Sequence, residues 1–239
     1  EVTVFESGAG ATPASFGWIN ASFFQNEEHF SLRAEGIAAW KRLGGHVTWS
    51  GCLCWEEEGA GFDAQRERLA ALGYEPQEVD AAQFARLEPQ IAPPSRALHF
   101  LQEGAAAPAQ TAAALLTGVR RVSGPRVLRL TEEKGAISGI QTSHGHIPAD
   151  RVIVAAGTGS PPLLDSVGVV LPMLKRPGLM MRTAPVSPVI NHVLVAPGQE
   201  LRQDADGRIW APTAAHHQSD DATEITARPP VLLTHGAID

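Results

Sequence analysis

The stretch that most constrains the fold runs from Asp150 to Ser160, Asp-Arg-Val-Ile-Val-Ala-Ala-Gly-Thr-Gly-Ser. Val152, Ile153 and Val154 form an unbroken β-branched run, which is expected of a strand covered on both faces of a parallel sheet. Ala155, Ala156 and Gly157 follow at once, so such a strand would present bare backbone at its carboxyl end, where open α/β sheets take ligands. A parallel strand closed by a glycine turn accounts for the stretch equally well.

A second β-rich run, Val2-Thr3-Val4-Phe5-Glu6, ends in an acid followed by Ser7-Gly8. In a dinucleotide-binding fold, an Asp or Glu at the end of the second strand accepts hydrogen bonds from both ribose hydroxyls of the adenosine half. The G-x-G-x-x-G turn that belongs about 20 residues before such an acid is not in the chain, which begins five residues before Glu6 and lacks an initiator Met. The chain is therefore expected to be a piece of a longer protein. An apolar edge would then be open beside Val2 to Phe5 and Val152 to Val154, making the chain alone aggregation-prone.

The 239 residues, 44% of them hydrophobic, suit one large or two intimate globular domains. A net charge of -7 leaves no basic face for nucleic acid or an anionic membrane, and no apolar run spans a bilayer or reads as a signal peptide, so a cytoplasmic protein is expected. Cys52 and Cys54 would point the same way on a strand, where a disulfide between them would be strained, so they read as buried reduced thiols. His144-x-His146 and His216-His217 lack further ligands at metal spacing and read as loop histidines.

Between Glu6 and Asn20 lies a loop of small and hydroxylated residues, Gly8-Ala9-Gly10-Ala11-Thr12-Pro13-Ala14-Ser15-Phe16-Gly17-Trp18-Ile19. Such a loop lets backbone N–H groups approach phosphates and a ribityl chain. Glu-Ser-Gly followed by Ala-Thr-x-Ala-Ser-x-Gly-Trp-Ile resembles the corresponding loop of the D-amino-acid oxidase, glycine oxidase and sarcosine oxidase family of FAD-dependent oxidoreductases. Val79 to Pro89, with its Glu-Pro end, resembles the family's approach to a substrate-domain strand. Glu103 to Pro108 resembles its return to the cofactor domain, and Val127 to Ser160 fits its second cofactor segment.

That resemblance implies an α/β fold in which an FAD-binding Rossmann-like domain of the glutathione-reductase type is interwoven with an antiparallel β-sheet substrate domain. Residues 1–45 and 105–170 would belong to the first, and 46–104 and 171–239 to the second. It implies FAD as cofactor, with Glu6 on the ribose and Thr12, Ser15, Phe16, Gly17, Trp18 and Ile19 on the flavin side. Val127 would hold the adenine through its backbone, and Ala155, Ala156, Gly157 and Ser160 would line the returning strand. It implies oxidation of an amine or amino acid by hydride transfer to flavin N5, with oxygen or a quinone reoxidising the flavin. The cations of the last sheet, Arg182, Arg202 and Arg208, are candidates for a substrate carboxylate, although a solvated strand face explains any one of them more simply. No side chain stands out as an acid or base. Thr234-His235-Gly236 could be a remnant of the family's closing glycine turn.

Periodicity predicts helices over 27–43, 62–72 and 79–87 and a strand or hairpin over 46–55. A β-hairpin is expected over 126–142, a short helix over 163–167 stopped by Gly168, and strands near 178–183, 193–195, 200–203 and 208–211. Residues 116–127 look too few for the end of a helix, a turn and a strand. Two rival readings are an NAD-dependent Rossmann dehydrogenase and a nucleotide-binding module without turnover. The hairpin before Ala-Ala-Gly and the small-residue loop after Glu6 disfavour the former.

Overall fold

The computed structural model describes residues 1–8, 10–173 and 178–212, so the readings on His216-His217 and Thr234-His235-Gly236 lie outside the described residues. The chain forms two compact units, one from Glu1–Pro13 and the described part of 112–173, the other from Ala14–Thr111 and 178–212.

In the smaller unit, Thr3–Glu6 pairs in parallel with Arg120–Ser123, Thr3 opposite Arg120 and Glu6 opposite Ser123. Residues 116–127 therefore do hold a turn and a strand, contrary to expectation. The helix that starts at Pro108 ends at Leu115, and Gly118, at φ 77°, reverses the chain so that the strand begins two residues later. Among the described residues Thr3–Glu6 has no second neighbour, and its other edge is open.

Val127–Glu133, Ala136–Thr142 and Gly145–Pro148 form an antiparallel three-stranded sheet. Its first turn is the two-residue Lys134-Gly135, whose φ values of 53° and 79° are both positive, as the turns that match strand twist require. Leu130 and Ile140 pair across this sheet and are buried. Gly139 is obligatory there, because a Cβ would collide with the carbonyl oxygen of Ile147 and stand 2.9 Å from Pro148 Cα.

Val152 to Val154 do not form the expected strand. Residues 151–156 are irregular, and Ile153 is 92% exposed. β-branched residues favour a strand only where a neighbour supplies cross-strand hydrogen bonds and packing, and none of the described strands does so here. The chain then enters a 3-10 turn at Gly157–Gly159 and the helix Ser160–Asp165, with Gly168 at φ 74° three residues beyond its end.

The larger unit is built on a seven-stranded sheet woven from two stretches of sequence, as anticipated. Its order is Met180–Arg182, Ile209–Pro212, Gln199–Gln203, Val193–Ala196, Cys52–Cys54, Arg96–Phe100, Gln77–Asp80. Every neighbouring pair is antiparallel except Val193–Ala196 with Cys52–Cys54, where the two stretches meet. Cys52 and Cys54 face one core with Leu98, Phe100, Val193 and Val195, while Leu53 faces the other with Phe84, Ala97 and Leu194. Both thiols are free and buried.

The helix Glu27–Leu43 matches its predicted limits, capped by Asn26 Oδ1 accepting from His29 N at 2.8 Å and ended by Gly44 at φ 69°. Val79, expected in a helix, lies in the strand Gln77–Asp80. Asp80 explains the shift: its carboxylate accepts from Gln83 N at 2.7 Å and Gln83 Oε1 accepts from Asp80 N at 2.8 Å, a reciprocal cap that starts the helix at Ala81. A small sheet, Trp18–Ile19, Gly104–Ala106 and Val47–Thr48, completes the unit. Among the described residues no helix is long and apolar enough to cross a membrane.

Candidate functional site

Because Thr3–Glu6 and Arg120–Ser123 run parallel and end together, their register alone sets Glu6 beside Ser123. The chain leaves through Ser7-Gly8 on one strand and Gly124 on the other, at φ 141° and 110° for the two glycines, with nothing within 4 Å of where either Cβ would stand. The result is an open cleft of about 370 Å³ lined by Glu6, Ser7, Gly8, Arg121, Ser123 and Gly124. Glu6 Oε1 accepts from Arg121 Nη2 at 2.5 Å and from Ser123 Oγ at 2.9 Å. Those bonds, Ser123's first and then Arg121's, hold the carboxyl below its ordinary range, so it is ionised at neutral pH. Among the described residues Oε2 accepts no hydrogen bond. An ionised carboxylate with an open oxygen, at a rim of bare backbone, is what a sugar diol requires.

The loop that follows is fixed by contacts within the larger unit. Thr12 lies before it, exposed in a 3-10 turn. Ser15 Oγ accepts from Gly17 N at 3.2 Å. Gly17, at φ 75°, could carry no side chain, since a Cβ would stand 2.6 Å from the Ala106 carbonyl oxygen. Trp18 and Ile19 pair with Ala105 and Gly104, and Ile19 is buried.

Beneath this loop is a residue the sequence reading passed over. Glu103 is fully buried, and its carboxylate accepts from Trp18 Nε1 (3.0 Å), Ala21 N (3.1 Å), Ser22 N (3.0 Å) and Tyr74 Oη (3.0 Å). Burial raises its carboxyl above the ordinary range, and the hydrogen bonds from Ser22, Tyr74 and Ala21 oppose that rise. Its trace in the sequence is a lone acid between Phe100-Leu101 and the small residues Gly104 to Ala107.

The returning segment is arranged differently from its expected form. Ala155 and Ala156 are exposed on the approach to the 3-10 turn and Gly157 is exposed as its first residue, Ser160 is buried at the start of its helix, and Val127 is half-buried opposite Thr142. None of these lines the Glu6 cleft.

Of the three arginines, Arg202 is the buried one. Its Nε donates to the Phe16 carbonyl, and its guanidinium lies 5.4 Å from the Phe16 ring centroid and 5.2 Å from that of Trp210. Burial lowers its pKa, with Asp204 opposing. Among the described residues its Nη1 and Nη2 donate no hydrogen bond. Arg182 is exposed, 5.1 Å from the Trp210 ring centroid, and Arg208 Nη1 donates to the Thr183 carbonyl at 3.0 Å.

A second buried carboxylate also escaped the sequence reading. Glu88 accepts from Asn191 N at 3.0 Å, His192 N at 2.8 Å and the His192 Nδ1 position at 2.7 Å. The His192 ring meets His99 edge-on at 5.1 Å. Burial first, and then His192, push His99 down to about 4, and its buried Nε2 finds no partner among the described residues. Burial pushes the Cys54 thiol up to about 12 and raises Cys52 well above its usual value, so neither is a ready nucleophile. Among the described residues no group of three or more His, Cys, Asp or Glu side chains is placed to hold a metal ion.

A parallel strand pair ending in an ionised acid, together with a largely antiparallel sheet woven from two stretches, is a mixed α/β architecture. The chain belongs to the FAD-dependent oxidoreductase family of the D-amino-acid oxidase type, whose model matches residues 1–232. It is 29% identical over 98 residues to glycine oxidase from Pseudomonas putida, a match covering 41% of this chain and 27% of that protein. It is 38% identical over 80 residues to D-amino acid dehydrogenase from Rhizobium rhizogenes, covering 34% of this chain and 19% of that protein. The chain thus spans less than a third of each of these two relatives in the matched regions. The fold is shared with glycine oxidase from Geobacillus kaustophilus, at a TM-score of 0.75 and 18% identity over 98% of this chain and 70% of that one. It is shared too with iminodiacetate oxidase from Chelativorans, at 0.73 and 17% over 99% and 71%. The family's cofactor is FAD, and the ionised Glu6 with its open Oε2 and glycine rim fits the adenosine end of that molecule.

Proposed function

We propose that the protein carrying this chain is a cytoplasmic FAD-dependent enzyme that oxidises an amine or amino acid. The observation that carries this reading is the Glu6 carboxylate, ionised and with one oxygen open at the carboxyl ends of two parallel strands. Glu6 would accept from the ribose hydroxyls, and the Val127 backbone would hold the adenine. Thr12 and Ser15 to Ile19 would meet the flavin side, and Ala155 to Gly157 with Ser160 would complete the cofactor surface. In this reading residues 1–45 and 105–170 serve the cofactor, and 46–104 and 171–239 serve the substrate.

The chemistry that the cofactor supplies when bound is acceptance, at N5, of a hydride from the carbon bearing the nitrogen, with the electrons passing on to oxygen or a quinone. The protein's part is position and charge. Arg202 is the arginine best suited to a substrate carboxylate, because it is desolvated and its terminal nitrogens are uncommitted among the described residues. A guanidinium out of water binds an anion more strongly than one on a solvated strand face.

Anaerobic titration of the intact protein tests the reading. Glycine or another amino acid should bleach the visible flavin band, and Arg202→Lys should raise KM for amino acids far more than for an amine without a carboxylate. Failure of every amino acid and amine to bleach the flavin contradicts the proposed oxidation, and equal losses on both substrate types remove Arg202 from the site.

A further inference from the structure

Arg121 and Ser123 appear in no motif that the sequence offers, yet both touch the residue on which the cofactor reading rests. On the Arg120–Ser123 strand they are two residues apart and so share a face, and Ser123 stands directly opposite Glu6 in the parallel register. The pleat alone therefore places all three side chains on one side of the strand pair. An arginine and a carboxylate often pair through both oxygens at once. Here they do not: Arg121 Nη2 and Ser123 Oγ converge on the same oxygen, Oε1.

We propose that Arg121 and Ser123 are positioning residues that aim Glu6 at a ribose diol. This rests on the reading that Glu6 takes the ribose of FAD. Fastening Oε1 from two sides removes the rotations that would otherwise let a strand-end glutamate turn away into solvent. It keeps the carboxyl ionised, hence an acceptor only, and leaves Oε2 without a hydrogen bond among the described residues on a side chain that lines the cleft. The Arg121 cation also offsets a negative charge that would otherwise repel the phosphates of an incoming dinucleotide.

Competition against FAD in the flavin-free intact protein separates positioning from general effects, using ADP and 2′,3′-dideoxy-ADP as probes. Ser123→Ala, which leaves the charge unaltered, and Arg121→Gln should each weaken ADP binding by about three- to tenfold. Ser123→Ala should leave the affinity for the dideoxy nucleotide unchanged, Arg121→Gln should weaken it less than that for ADP because the phosphates of both feel the lost charge, and in a Glu6→Gln background Ser123→Ala should have no further effect on ADP. Unchanged ADP affinity in both variants, or equal losses for the two nucleotides, overturns the proposal while leaving Glu6 in the site. Equal binding of the two nucleotides by the unaltered protein is a different failure: Glu6 is then not the ribose acceptor, and the proposal falls with that reading.

Discussion

The larger unit holds both hydrophobic clusters, whereas the smaller one buries only Leu130 and Ile140 among its described apolar side chains. The contrast is sharpest between two short β-type runs. Cys52-Leu53-Cys54 lies mid-sheet with a strand on each side and is at most 1% exposed. Val152-Ile153-Val154 has the stronger strand propensity and forms no strand, with Ile153 92% exposed. Partners on both edges and cover on both faces make a central strand; intrinsic preference alone does not. The same contrast holds for the acids: Glu103 is buried and satisfied by neutral donors, while Glu6 is paired with a cation and lines an open cleft.

Cutting into the larger unit should therefore cost far more than cutting into the run at Val152. Phe84 is fully buried and packs edge-on against Trp55 at 5.1 Å. Phe84→Ala should destabilise that unit by about 3–5 kcal/mol, whereas Ile153→Ala should cost less than about 0.5 kcal/mol. Urea denaturation of both variants checks the pair, and similar losses would abolish the distinction.

Acid should act on the larger unit through His99, whose pKa is depressed from 6.5 to about 4 by burial and by His192. In that interval the unfolded chain binds the proton that the folded protein refuses. The stability this group confers is complete above pH 6.5 and is lost as pH falls through 4. The loss is on the order of 3 kcal/mol. The effect is isolated by comparing melting of His99→Leu and the unaltered protein at both ends of the range. The variant should show a flatter pH dependence, and an identical slope would discount the buried imidazole.

What the sequence made legible were features with short-range causes. The hairpin over 126–142 follows from alternation and the Lys134-Gly135 turn, and the helix Glu27–Leu43 from its periodic face, Asn26 and Gly44. The same-side burial of Cys52 and Cys54 follows from strand period alone. What was not legible depends on partners distant in the chain. The strand at Arg120–Ser123 exists because Thr3–Glu6 pairs with it, and a run of two arginines and a serine gives no warning of that. Glu103 gathers donors from Trp18, Ala21, Ser22 and Tyr74, and Glu88 from Asn191 and His192 about a hundred residues away, so neither carboxylate announces its role locally. The strand ending at Glu6 is legible because strand, acid and glycine are adjacent in sequence; the hydrogen bonds it accepts from Arg121 and Ser123 are not.

The claim that the ends of the two parallel strands receive the cofactor can be tested directly by amide hydrogen exchange in the intact protein with and without FAD. Binding there predicts slowed exchange in residues 3–8 and 120–124, which carry the cleft, and loss of that protection in Glu6→Ala. Flavin binding that leaves both segments exchanging at their free rates would contradict it.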